Sequence, residues 1–215
     1  MLVGQMPGRP GGSATDGLSP QDAVYQRAKA GDAQAELEMG LRYAEGDGFI
    51  KNPKEAAIWL ARAAKHGSVE AQYRLGLALL EGRGVVQDFQ AAFAWIDKAA
   101  NRGYAPAQYS LGDLYRFGTG VEMDKAKAYL WFNLAAAQGV EDAAKARDSV
   151  AYQLKPDQLK AMQDEARQLS QQQAEMPEEK KINMKMTIAL PDKPAQTEKA
   201  SKALSTKAKA AELPH

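Results

Sequence analysis

Apolar positions along this chain recur on two scales. Over short stretches they fall three and four residues apart, the spacing of one helix face. Over longer stretches the whole arrangement returns every 36 residues. One set of columns runs Ala35, Met39, Gly40, Tyr43, then Ala71, Leu75, Gly76, Leu79, then Ala107, Leu111, Gly112, Tyr115. A second set places Ala56, Trp59, Ala63 and Ala64 on one face, with Ala92, Trp95, Ala99, Ala100 and Ala128, Trp131, Ala135, Ala136 in the later units. All three tryptophans occupy one column. The pattern predicts two helices per unit, the first over about 35–45 and the second over about 53–66, repeated along the chain.

Polar residues and glycines punctuate these helices. Asn52, Asp88 and Asp124 stand just before each second helix, where a side-chain oxygen accepts free backbone N–H groups. Pro53 fits the first helical position, where its missing donor is not needed. The joint "LLEGRGVVQD" (79–88) has the look of a ligand loop, but its sisters "EGDG" and "FGTG" keep the glycines and change the charges. A phosphate or calcium site needs its charged ligands retained. The joint is therefore read as structure, with Gly82 ending a helix in the left-handed region and Gly84 reversing the chain. Gly40, Gly76 and Gly112 lie mid-helix at about 1 kcal/mol each against alanine. The expected compensation is close helix contact, with Ala56, Ala63 and Ala64 opposite and the tryptophan filling the space beside them. Gly31, Gly67, Gly103 and Gly139 return the chain to the next unit.

A unit with "LG" in its first helix, "G.G" in the joint and then "D...A..W...AA..G...A" resembles the Sel1-like repeat, a variant of the tetratricopeptide repeat with a longer joint. Leu75-Gly76, Gly82, Gly84, Asp88, Ala92, Trp95, Ala99, Ala100, Gly103 and Ala107 carry the motif, and the same columns recur one unit earlier and one later. The resemblance covers about residues 31–142. It implies an all-α fold: an α-solenoid of stacked helix-turn-helix units, right-handed, of about nine helices, with the first helices lining the concave side. Three full units (about 35–142) with helical caps make a body over 19–170. "SPQDAVYQRAKAGD" (19–32) reads as an isolated second helix, with Ser19 capping and Pro20 first inside. Beyond Ala143 the period decays, and Asp148 replaces the helix glycine. There follows one helix, a break at Lys155-Pro156, and a final helix with Leu159, Met162, Ala166 and Leu169 apolar and its other face polar.

Composition changes the picture at the ends. Residues 1–18 are rich in Gly, Pro and Ser, and 171–215 hold Lys, Ala, Pro, Gln and Glu with no aromatic residue, so both are expected to be disordered. Within the tail, 182–190 ("INMKMTIAL") alternates like a strand. It reads either as a linear motif for a sheet edge or the chain's own groove, or as chance. Formal net charge is +1, which points to neither nucleic acid nor an anionic membrane. There is no cysteine, hence no disulfide, thiolate metal site or cysteine nucleophile. No apolar run reaches the roughly 18–20 residues of a membrane span. Residues 1–20 lack the basic start and apolar core of a signal peptide. The expectation is a cytoplasmic protein, or a periplasmic one if the true start lies upstream.

Candidate chemistry is sparse. His66 ends a second helix, where a cation suits the dipole, and Arg102 and Gln138 take its place in the later units. No phosphate loop and no metal-spaced histidine pair occur, so catalytic residues, metal and cofactors are expected to be none. Some secreted relatives have been described as β-lactamase-like with a disulfide in each repeat, which a chain without cysteine does not support. The resemblance implies a non-catalytic scaffold or adaptor that binds a protein or peptide. The alternative is a periplasmic enzyme or a regulator of cell-wall enzymes. By the tetratricopeptide pattern, groove-facing positions are Leu37, Leu41 and Ala44, then Tyr73, Leu77 and Leu80, then Tyr109, Asp113 and Arg116, the last two expected to pair. These residues either dock a peptide or partner helix or pack between adjacent units. Self-association through the apolar strip is a further possibility.

Overall fold

The computed structural model describes residues 20–176. Among them are nine α-helices and no strand. Helix α1 is Pro20–Lys29, followed by α2 Ala33–Glu45, α3 Pro53–Lys65, α4 Val69–Glu81, α5 Phe89–Asn101, α6 Ala105–Phe117 and α7 Lys125–Ala137. Two further helices, α8 Glu141–Ala151 and α9 Pro156–Ala174, close the array. The pairs α2/α3, α4/α5 and α6/α7 form hairpins, each packed on the next through α3/α4 and α5/α6. This is the stacked all-α solenoid that the period implies. The expected tails and the alternating segment 182–190 lie outside the described residues.

The helix boundaries follow the local chemistry. Asn52 Oδ1 accepts from the Lys54 and Glu55 N–H groups, Asp88 from Ala91 at 2.9 Å and Asp124 from Lys127 at 3.0 Å, so each second helix starts where its cap stands. Gly82 has φ 69° and ψ 28°, and its N–H returns to the Ala78 carbonyl, closing α4 in the left-handed region. The second joint glycine has a reason that the sequence does not display. A Cβ on Gly84 would overlap the Pro53 carbonyl of the preceding unit, and one on Gly120 the Phe89 carbonyl. The joints are therefore contact points between successive hairpins as well as reversals. At the C-terminal end, Lys155 is extended (ψ 153°), as a residue before proline prefers. Its N–H donates to Gln158 Oε1 at 3.1 Å, starting α9.

The core sits between the helices of each hairpin and between hairpins. Close approach at the helix glycines is present, but the filler differs from expectation. Against Gly40, Gly76 and Gly112 stand Leu60, Ile96 and Phe132, each the residue after the tryptophan. The indoles of Trp59 and Trp131 are buried. Trp95 is half-buried, with Lys98 Nζ 4.4 Å from its ring centre. On α9, Ala166 is buried and Leu159, Met162 and Leu169 pack on the core, the face that the apolar spacing predicts.

Candidate functional site

The inner strip is mostly filled by the protein itself. Leu37 lies in a core cluster with Leu60, Ala63, Ala64, Ala71 and Leu75, and Leu41 packs at its edge. Tyr73, Leu77 and Leu80 are buried in the main core. The Tyr73 ring is 5.4 Å from that of Tyr104, and its hydroxyl is 3.2 Å from Ser110 Oγ. Asp113 is 2% exposed, and burial pushes its carboxyl up to about 7, against the opposing field of Arg116. The expected Asp113–Arg116 ion pair does not close. The Arg116 guanidinium instead lies 4.8 Å from the Phe117 ring centre. Of the nine strip residues, Leu37, Tyr73, Leu77, Leu80 and Asp113 are interior, and Leu41, Ala44, Tyr109 and Arg116 keep partial exposure. The Tyr109 ring packs 5.6 Å from Phe132. Small side chains let neighbouring hairpins approach so closely that the inner face of α4 meets protein rather than solvent, while α6 keeps Tyr109 and Arg116 partly exposed.

Polar side chains run along the seam where one unit's second helix ends and the next unit's first helix begins. One column is buried in every unit, as Glu36, Gln72 and Gln108. Gln72 Nε2 donates to the Ala64 carbonyl at 3.2 Å and Gln108 Nε2 to Ala100 at 3.3 Å, adding a side-chain donor to helix-end carbonyls that also accept the Gly67 and Gly103 N–H groups. The facing column is His66, Arg102 and Gln138. His66 Nδ1 is 2.6 Å from Glu36 Oε2, and Gln138 Nε2 donates to Gln108 Oε1 at 2.8 Å. Arg102 reaches past Gln72 to the Gly67 carbonyl at 2.6 Å, and Gln72 Oε1 is left without a partner. Sequence reading gave His66 only a role at its own helix end. Its bond to a carboxylate thirty residues away depends on stacking.

The seam opens at its C-terminal end into a groove of about 910 Å³ between α7, α8 and α9, near the upper end of the roughly 300–1,000 Å³ typical of ligand clefts. Helix α9 frames it. Gln173 Nε2 donates to the Ala100 and Asn101 carbonyls, each at 3.3 Å, and Gln173 Oε1 accepts from Gln108 at 3.2 Å. Further back, Gln163 Nε2 donates to the Tyr129 hydroxyl at 3.1 Å. Leu134, Ala137, Leu159 and Ala166 give the groove an apolar part. Its charged lining is Arg102, Arg147, Arg167 and Asp148. Arg147 holds Asp148 at 2.8 Å. Burial pulls the Arg102 guanidinium below its ordinary range, and among the described residues no ion pair gives it a carboxylate. Sequence reading took the polar face of α9 for the solvated exterior of a cap. The polar columns at 36/72/108 and 66/102/138 were the available signal that a continuous seam leads there.

The groove offers hydrogen bonds and positive charge. Among the described residues, no group of three or more acidic or histidine side chains is placed to hold a metal ion. No helix there is long and apolar enough to cross a membrane.

Stacked hairpins whose joints keep two glycines in every unit define an α-solenoid repeat protein. Residues 33–68, 69–104 and 105–140 match the Sel1 repeat, and the chain belongs to that family. Sel1 repeats are generally protein-interaction modules and typically non-catalytic scaffolds. Among solved structures, the chain is similar to a Sel1 repeat protein from Oxalobacter formigenes, with 41% identity and a TM-score of 0.56 over 60% of this chain and 96% of that one. It is also similar to c5321, a protective antigen present in uropathogenic Escherichia coli strains and displaying an SLR fold. There the identity is 27% and the TM-score 0.51, over 80% of this chain but only 44% of the antigen. These neighbours are bacterial. Among curated protein sequences none matches.

Proposed function

We propose that this protein is a non-catalytic scaffold that holds a protein or peptide partner in the groove between α7, α8 and α9. The observation that carries this reading is the contrast in accessibility. Five of the nine inner-strip residues are interior, while the groove presents about 910 Å³ of open space lined by amides, arginines and a few apolar side chains. A concave site with an apolar part and a few convergent polar groups is the usual form of a binding site.

The test is photo-crosslinking in the source cell. A crosslinking residue at Ser170, in the groove, is expected to capture a partner that a crosslinker at exposed Lys54 does not, and adding Ala137→Trp, also in the groove lining, is expected to block capture at Ser170 by filling the site. A crosslinker at Tyr109 reports on the inner strip. Capture at Tyr109 without capture at Ser170 would move the partner to the inner strip and overturn the groove reading.

A further inference from the structure

We infer that the groove between α7, α8 and α9 recognises a carboxylate-bearing peptide segment, with Arg102 and Arg167 as the groups that meet its acidic side chains. The inference rests on the scaffold reading above and specifies the chemistry of its partner. Three arginines face one carboxylate in the lining, and that carboxylate, Asp148, is already held by Arg147. Arg102 is half-buried, with its Nη1 turned to the Gly67 carbonyl. A guanidinium drawn out of water without an anion is a costly arrangement. A ligand carboxylate supplies the missing counter-charge and matches the planar fork of donors. Arg167 pairs only loosely with Asp164, at 3.4 Å, and is 71% exposed, so it is free to swing onto a ligand.

The other lining groups fit a peptide rather than a nucleic acid. Gln138 Nε2 donates to Gln108 and Asn133 Oδ1 accepts from Arg147 at 3.5 Å, but an amide has two N–H donors and two lone pairs, so each side chain can also meet a peptide backbone. Leu134, Ala137 and Leu159 offer contact for apolar side chains between the acidic ones. No lysine lines the groove, and its one aromatic ring, Tyr129, is buried with its hydroxyl held by Gln163. Single-stranded nucleic acid needs exposed rings for base stacking along a basic track. A net charge of +1 supplies no such field.

The experiment is fluorescence anisotropy on the full chain at low salt. The probe is a fluorescein-labelled hexapeptide of alternating glutamate and leucine. Its counterpart has glutamine for each glutamate, and a labelled thymidine hexanucleotide serves as a third arm. The acidic peptide is expected to bind at least tenfold more tightly than either. Arg102→Gln and Arg167→Gln are each expected to weaken it at least threefold, and Lys54→Gln to leave it unchanged. Arg167 is exposed, so its variant keeps the test valid if Arg102→Gln loosens the seam. Equal binding of the glutamine peptide, tighter binding of the oligonucleotide, no binding of the acidic peptide, or indifference to both arginine variants would each overturn the inference. A failed probe alongside intact crosslinking at Ser170 would leave the scaffold reading standing and remove only this one.

Discussion

Phe132 stands so close to Gly112 that a Cβ on the glycine would lie 2.6 Å from the ring's Cδ1. Phe132 is fully buried and its flat ring cannot shorten. Gly112→Ala gains about 1 kcal/mol of helix propensity and incurs roughly 1–3 kcal/mol or more of overpacking. The expected result is net destabilisation of up to about 2 kcal/mol by chemical denaturation. At Gly40 the contact is the end of a leucine, Leu60, at 2.9 Å, so Gly40→Ala is expected to cost less. In a double-mutant cycle, Phe132→Leu should make Gly112→Ala less harmful than in the parent. Additive effects would show that the ring does not set the requirement for glycine.

The two joint glycines of the central unit separate conformation from contact. Gly82 has φ 69° and meets only ordinary contacts, with Gln87 Cβ 3.5 Å from the added atom. Gly82→Ala is expected to cost about 1–2 kcal/mol, the strain of a left-handed residue. Gly84 has φ 74°, and its added atom would overlap the Pro53 backbone. Gly84→Ala is expected to cost at least about 3 kcal/mol, since a backbone overlap has no side chain to relieve it. It should also broaden the unfolding transition, because the contact it breaks joins one hairpin to the next. Equal costs at 82 and 84 would remove the inter-unit role.

The body was legible because a repeat shows the same physics several times. A cap such as Asp88, a left-handed glycine such as Gly82 and a periodic apolar face each leave a local trace, and the 36-residue register multiplies it. Local traces do not show what lies opposite. The invariant columns place alanines opposite each helix glycine and the tryptophan beside them, whereas the residue that meets the glycine belongs to a column that varies in size as Leu60, Ile96 and Phe132. The groove was illegible for a related reason. It depends on how the non-repeating α9 lies across α7 and on Gln173 reaching Ala100, 73 residues back. The inner strip was legible as apolar, but apolarity alone does not separate a surface for a partner from one covered by the next hairpin.

Asp113 makes stability depend on pH. Burial raises its carboxyl to about 7 in the folded chain, against roughly 3.9 when unfolded. The folded state therefore holds the proton more tightly, and between about pH 4 and 7 it binds more protons than the unfolded state. Stability from this group is fully present below the unfolded value and is lost as pH rises through the folded one. The shift corresponds to at most roughly 4 kcal/mol. Asp113→Asn is expected to remove this fall and to be more stable than the parent at pH 8. Asp113→Leu, matching Leu41 and Leu77 in the same column, should do so as well. Parallel stability profiles for parent and Asp113→Asn from pH 4 to 8 would contradict the burial argument.

The first seam carries charge where the later ones carry amides. Glu36 is fully buried, with His66 Nδ1 2.6 Å from Oε2 and Arg62 Nε 2.8 Å from Oε1. The Arg62 contact is an ion pair without an aligned hydrogen bond, since Oε1 accepts none. Arg62 also donates to the Ala28 carbonyl of α1 at 3.0 Å and lies over Trp59 of its own helix, so one guanidinium links α1, α2 and α3. Glu36→Ala would strip the counter-charge from Arg62 and the hydrogen-bond partner from His66 and open space at the seam. Breaking one side of a buried pair costs about 3–5 kcal/mol, and the exposed faces of Arg62 and His66 bring the expectation to about 2–3 kcal/mol. Glu36→Gln places in this unit the residue found at positions 72 and 108, where the amide donates to the end of the preceding helix. Its expected cost is smaller, about 1 kcal/mol. Hydrogen exchange locates the effect: Glu36→Ala should speed exchange in α1 while leaving α6 and α7 unchanged. Equal acceleration along the whole array would mean that the charged seam does not act locally as the tie for α1.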